Sequence, residues 1–434
     1  MPPIPPIPPT PPPPMPPPAN RPPPFAPVFI NALGALCALG GTVSEIRDAL
    51  CAAVLPAAPT RLTPCADWLT DGTCTYVGRV PQNTALPAIP TALRHHANRS
   101  NQLLLAAFEQ IRHEANAALA QYGRERVAVI LGTSTSGMRE GELAYQQHRD
   151  HGAFPARYRY SRQELGNPAL FLAEHLGVSG PAYVISTACS SSARAIISAC
   201  RLLAADVVDA AIVGGVDELS RVTLNGFHSL SALSHKLCRP FSAHRDGINI
   251  GEGAALFLLT RTPAAVAIIG TGESSDAHHT SAPQPDGRGA EAAMRMALAS
   301  AALTAPVADI GYINLHGTAT PLNDSMESRA VHRIFGDAVP CSSTKHLTGH
   351  TLAACGVIEG TLCHLLLENA RALPLPPQHL APDDHDPALA PIGLLRAAAH
   401  LTVPRILSNS FGFGGNNASL IFATHPHLTH PHHQ

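Results

Sequence analysis

Residues Ala182 to Leu219 read AYVISTACSSSARAIISACRLLAADVVDAAIVGGVDEL. The apolar run AYVI ends in small residues, as a buried strand entering a tight turn does. SARAIISACRLLAADVV then spaces its apolar side chains as a helix does, and DAAIVGGVDEL returns to a short apolar strand. Strand, turn, helix and strand form the repeating unit of a layered α/β fold, in which helices cover a largely buried sheet.

The pattern extends both ways from this stretch. Upstream, VFINALGALCALGG reads as a strand and turn from Val28, and TVSEIRDALCAAVL as a helix with Ser44 as a candidate cap. SNQLLLAAFEQIRHEANAALAQYG has helical spacing, and RVAVILGTSTSG is a buried strand running into a loop. Downstream, VAIIGTGESSDA and IGYINLHGTAT are strand–loop units. VPCSSTKHLTGH leads into the helix TLAACGVIEGTLCHLLLE, and RILSNSFGFGGNNASLIF closes the chain as a hairpin. Strand, small-residue turn, long helix and Gly-rich strand occur around Cys189 and again around His350. This recurrence suggests two similar halves.

Composition narrows the function. The 434 residues are 45% hydrophobic and 14% charged, enough apolar content for a large core. A net charge of −2 gives no basic excess for nucleic acid. No run of about 18 apolar residues is present to span a membrane. The ten cysteines form no CxxC pair, which fits a reducing cytoplasm. Residues 1–27 are proline-rich and expected to be disordered, and so is the His/Pro-rich tail, 424–434.

Cys189 is the nucleophile candidate. It ends a strand beside a helix start, where free N–H groups and the helix dipole favour a thiolate. A free cysteine is more often structural, as mid-helix Cys200 is read to be. His316 follows the run IGYINL at a strand end. His350 is read at a helix start, which disfavours a protonated imidazole, and Lys345 lies five residues before it. A Cys/His/His set suits thioester chemistry: a thiolate takes the acyl group and two imidazoles steady an enolate oxygen. Metal-ligand spacings such as HExxH or CxxC are absent from the sequence. Gly412, Gly414 and Gly415 flank Phe413, whose N–H could help form an oxyanion hole and whose ring could gate a cavity.

Six segments in order, STACSSSARAI, GGVDELS, PFSAHRDGINIGEGAA, NLHGTATPLNDSMES, SSTKHLTGHTLAACG and NSFGFGGNNASLIF, together resemble the elongating β-ketoacyl-acyl-carrier-protein synthases of the thiolase superfamily. The resemblance runs from Val28 to Ala423. It implies a thiolase-like five-layered αβαβα fold from two pseudo-duplicated halves, 28–262 carrying the nucleophile and 263–423 carrying the histidine pair. It implies acylation of Cys189 and malonyl decarboxylation at His316 and His350. Lys345 would support the histidines through hydrogen bonds to a buried acid such as Glu327. Thr318 and Thr320 match positions that contact the phosphopantetheine arm. Phe413, Gly414 and Asn416 belong to the substrate-binding loop, with Asn416 standing where the family usually has Thr.

The implied partners are an acyl carrier protein and either a second copy or a chain-length-factor-like subunit. No cofactor or metal is implied. NRSNQLLLAA, NLHGTATPLND and KHLTGHTLAACG look closest to the synthases of aryl polyene pathways; ordinary fatty chains and polyketides remain open. A synthase active only with a partner subunit is an alternative. A non-catalytic partner subunit is another, although that kind lacks the nucleophile.

Overall fold

Apolar runs too short for helices and flanked by Gly or Ser form strands throughout the computed structural model, which describes residues 25–55, 60–378 and 380–425. The strands are β1 Val28–Leu36, β2 Thr63–Cys65, β3 Thr75–Gly78, β4 Val127–Gly132, β5 Ala182–Ile185, β6 Ala210–Asp217, β7 Ile250–Gly251, β8 Gly253–Thr260, β9 Val266–Ser275, β10 Tyr312–Asn314, β11 Cys341–Ser342, β12 Arg405–Gly412 and β13 Asn416–Thr424. The leader and tail expectations fall almost wholly outside the described residues.

Ten strands make one mixed sheet in the order β11-β10-β12-β13-β9-β1-β8-β6-β4-β5. It is two sets of five. Numbered along the chain within each set, both sets run 3-2-4-5-1 from their outer edge to the middle. Both also share the same directions: β4 is parallel to β5 and β6, and β10 to β11 and β12, while the inner pairings are antiparallel. The first strands of the sets meet at only two residue pairs, Val28↔Ile268 and Phe29↔Ala267. β2, β3 and β7 form a separate small sheet.

β4 and β6 are buried along their whole length, so both faces of the sheet must be covered. Helices Ser191–Ala204 and Cys355–Glu368 pack against each other between the two sets of strands. Every residue of the second helix except Glu368 is buried, as a helix enclosed on all sides requires. Helices Arg99–Glu109 and Asn167–Leu176 cover the outer face of one set, and Arg288–Ser300 covers that of the other. Three apolar cores, one central and two outer, fill the gaps between these five layers. Among the described residues no helix is long and apolar enough to cross a membrane.

Two local readings change. The first helix, Val43–Ala52, is capped by Thr42 and not by Ser44. Thr42 is extended and its hydroxyl accepts from Glu45 N at 3.2 Å, while Glu45 reaches back to Gly41 N at 2.7 Å. The segment 100–123 is two helices, Arg99–Glu109 and Arg112–Tyr122. They part at Gln110, whose side-chain amide is drawn to Ala35 O of β1 and to Gly41 O of the turn after it.

Candidate active site

The turn at Cys189 is tight because the helix after it sits directly on the end of β4. A Cβ on Gly132 would lie 2.4 Å from Ser192 N, so only glycine admits this approach. Ala188 takes the left-handed conformation (φ 53°), and the Ser191 hydroxyl ties the turn by donating to Ala188 O and accepting from Thr187 N. Cys189 is thereby held just before the helix Ser191–Ala204. The hairpin β12–β13 closes over it. A Cβ on Gly412 would fall 2.8 Å from Thr187 O, and the Phe413 N–H is directed at the Cys189 sulfur.

His350 Nε2 lies 3.0 Å from Cys189 Sγ. The His316 ring is edge-on to the His350 ring, with centroids 5.4 Å apart. The donor atoms of Cys189, His316 and His350 all fall within 4.8 Å of one another, and all three residues are buried. The sequence-predicted trio is thus brought together.

His350 is not at an α-helix start. A 3₁₀ turn, Leu352–Ala354, intervenes before the helix at Cys355. Its backbone is instead anchored to β7, with His350 N donating to Asn249 O and Gly251 N donating to His350 O. His316 follows β10. Its N–H and that of Gly317 donate to the Glu327 carboxylate at 2.8 and 2.7 Å.

Electrostatics in this pocket are ruled by burial. Both imidazoles are held well below the usual histidine range, first by desolvation and then by the Lys345 charge, so both are neutral near pH 7. The Cys189 thiol is not depressed, as its place beside a helix start suggested. Burial pushes it up to about 12, against the opposing pull of Lys345 and the Phe413 N–H. A neutral His350 beside a neutral thiol can accept the thiol proton on Nε2; in its other tautomer it can donate from the same atom. The expected partner of Lys345 is also corrected. Lys345 Nζ pairs with Glu359 Oε1 at 2.5 Å, while Glu327 is engaged by backbone N–H groups and the Asn409 amide. Glu359 reaches Lys345 because the central helix passes behind it.

Two cavities meet at the thiol. One, of about 320 Å³, is lined by Cys189, His316, His350, Thr318, Thr320 and Phe413 among others. Thr318 and Thr320 hydroxyls lie 2.9 Å apart on its wall. The second, of about 170 Å³, lies beyond Phe227 and Phe413 and is lined by Ser134, Thr135, Cys189 and Leu352. The Phe227 and Phe413 rings, 5.7 Å apart, stand between the two. Gly414 and Asn416 do not line the larger cavity. Strand alternation turns Asn417 to it instead, together with Asp276, a residue the sequence reading did not single out.

A second group of metal-type donors, His95, His96 and Glu174, is less suited to an ion. Asn167 Nδ2 donates to Ser161 O and to His96 Nδ1, which leaves the His96 proton on Nε2, pointing at Glu174.

A nucleophile and two neutral histidines from opposite halves of a duplicated fold narrow the choice of family. Residues 27–265 match the β-ketoacyl synthase N-terminal domain, and residues 265–378 match its C-terminal domain. The chain belongs to the β-ketoacyl synthase family. This synthase is 31% identical over 345 residues to a 3-oxoacyl-[acyl-carrier-protein] synthase 2 of Staphylococcus aureus, covering 75% of this chain and 81% of the relative. To the protein of the same name from Synechocystis it is 30% identical over 415 residues, covering 91% and 97%. Among solved structures it is similar to a ketosynthase (ApeO) in complex with its chain length factor (ApeC) from Xenorhabdus doucetiae. That similarity has 51% identity and a TM-score of 0.87 over 92% of this chain and 98% of that one. It is also similar to the ishigamide ketosynthase/chain length factor, with 25% identity and a TM-score of 0.80 over 92% and 100%. The protein is a condensing enzyme that extends acyl chains carried as thioesters.

Proposed function

We propose that Cys189, His316 and His350 carry out decarboxylative condensation of an acyl thioester with malonyl-acyl-carrier protein. The meeting of both cavities at one thiol, 3.0 Å from an uncharged imidazole, carries this reading. The Cys189 sulfur attacks the incoming thioester carbonyl and the carrier sulfur leaves. The thiol proton passes to His350 and then to that carrier sulfur. The N–H groups of Cys189 and Phe413 receive the oxyanion formed on the way. Malonyl-carrier then enters the larger cavity, its arm beside Thr318 and Thr320. Its C–C bond breaks, CO₂ departs, and the electron pair becomes an enolate whose oxygen accepts from His316 and His350. The enolate carbon attacks the acyl-enzyme, the Cys189 sulfur leaves as a thiolate and takes up one proton from solvent, and the product is two carbons longer. Glu327 holds the His316 backbone, and the Lys345 charge helps keep both imidazoles neutral, neither residue touching substrate. The reading invokes no separate cofactor.

The chain is divided here at 262/263, a division supported by the shared strand order of the two sets. A cytoplasmic setting is supported by ten unpaired cysteines. The partner reading is a chain-length-factor-like subunit, supported by the solved relative that is 51% identical and bound to one. Aryl polyene primers are favoured by the motifs NRSNQLLLAA, NLHGTATPLND and KHLTGHTLAACG.

Intact-mass analysis of wild type and Cys189→Ala with malonyl-carrier and acyl-carriers, saturated and aryl-polyenoyl, tests this. An adduct on wild type only, followed by a β-keto product two carbons longer, is expected. Product from Cys189→Ala would sink it. Activity that appears only with a co-expressed partner subunit selects the partner-dependent form.

A further inference from the structure

Asp217 ends β6 and is fully buried, and nothing in the reaction above uses it. Six donors converge on its carboxylate. Oδ1 accepts from the Thr133 hydroxyl, Ser134 N, Thr135 N and the Thr135 hydroxyl, all at 2.8 to 2.9 Å. Oδ2 accepts from the Ser134 hydroxyl and from Ala353 N, each at 2.7 Å. The first five donors belong to the loop leaving β4, in which Ser134 and Thr135 wall the smaller cavity. The sixth belongs to the 3₁₀ turn three residues past His350, and Leu352 of that turn lines the same cavity. One carboxylate therefore clamps the half that carries the nucleophile to the turn that carries the histidine. The same seam also carries the two backbone bonds that anchor His350 to β7, a bond from Val357 N to the Ser192 hydroxyl, and one from Cys355 Sγ to Cys189 O.

We propose that Asp217 is a positioning residue: it fixes the turn after His350 against the cavity wall and so aims His350 Nε2 at the Cys189 sulfur. This rests on the condensation reading above. A charge-assisted bond to a backbone N–H is among the stronger hydrogen bonds available. Asp217→Asn keeps an acceptor for the β4 loop but turns an NH₂ toward Ala353 N–H. Donor then faces donor at Ala353 N–H, while the Ser134 hydroxyl can rotate to accept from the new NH₂, so the tie to the His350 turn is the one that cannot be remade.

The test measures condensation kinetics and alkylation of Cys189 by iodoacetamide in wild type, Asp217→Asn and Asp217→Glu. Misplacing a reacting group by about 1 Å costs about 100-fold. Asp217→Asn should lower kcat at least 10-fold with KM for malonyl-carrier within twofold, and Asp217→Glu should recover part of the loss. Alkylation needs no carrier substrate, so it remains informative even if wild type fails to condense and the functional reading falls. It also separates positioning from simple electrostatics. The Asp217 charge opposes ionisation of Cys189, so losing the charge alone would speed alkylation, whereas losing His350 as proton acceptor slows it. Slower alkylation supports the proposal. Faster or unchanged alkylation, or kcat within twofold of wild type, overturns it. Should Asp217→Asn fail to fold, Asp217→Glu, which displaces the carboxylate by one methylene from Ala353 N, takes its place. A kcat loss of threefold or more at constant KM supports the proposal, and an unchanged kcat overturns it.

Discussion

Replacing Lys345 with Met should destabilise the protein by about 3–5 kcal/mol, the usual cost of stranding one member of a buried ion pair. Lys345 and Glu359 side chains are 1% and 2% exposed, so solvent cannot screen the pair or rescue the survivor. At their 2.5 Å separation the attraction is about 7 kcal/mol for an effective dielectric of about 20, and desolvation of both ions offsets most of it. The second Glu359 oxygen has no hydrogen-bond partner among the described residues, so without Lys345 the carboxylate keeps no strong donor there. The double variant Lys345→Met/Glu359→Leu removes both desolvation costs and should recover most of the loss. Urea unfolding at pH 7.5 of wild type, the single and the double variant measures this. A single variant within 1 kcal/mol of wild type, or a double no more stable than the single, would refute the reasoning. The pair also has an electrostatic signature. The Lys345 charge helps hold His316 and His350 below their usual range. In the double variant the imidazoles protonate at higher pH, and the acidic limb of the rate profile should move up in pH.

Glu218 is buried, accepts from Arg139 N, and is pushed up to about 8 by desolvation. A raised carboxyl contributes stability below its unfolded value near 4.5 that is lost as pH rises through about 8. Glu218→Gln should therefore change little at pH 5 and stabilise at pH 9 by on the order of a few kcal/mol in urea unfolding; equal effects at both pH values would contradict this. Gly132→Ala drives a Cβ into the backbone of the Cys189 helix and should cost about 1–3 kcal/mol. Its kcat should fall about 100-fold if Sγ moves by about 1 Å. Phe413→Ala opens the partition between the two cavities. It should speed hydrolysis of the acyl-enzyme, read as loss of the mass adduct over time, while Cys189 still acylates.

Much of this architecture was legible because burial writes itself locally. VAVILG and AAIVGGVD are covered on both faces and so are apolar throughout, and the hairpin at 405–422 announces itself by its glycines. The trio Cys189, His316 and His350 could be picked out because Cys189 and His316 each follow a short strand into small residues and His350 leads into a long apolar helix. What stayed hidden was set by distance in the chain. The acid facing Lys345 is Glu359, one of four polar residues in a largely apolar helix, and only the packing of that helix reveals it. Asn417 lines the cavity in place of Asn416 because β13 starts at Asn416, and alternation then decides which neighbour points inward. The elevated Cys189 thiol was missed because the helix end beside it is visible in sequence, whereas the desolvation that outweighs it comes from the whole fold.

The two sets of strands touch at only two residue pairs, and the reacting groups are shared out between them: the thiol on one, both imidazoles on the other. On the ribosome the first set is complete once β8 has emerged, before any residue of the second exists as structure. At that stage Cys189 has no histidine beside it, no Phe413 N–H on its sulfur and no second wall to its cavity. An unfinished chain therefore carries an inert cysteine, and the ability to consume malonyl thioester arises in one step, when the late half docks onto the early one.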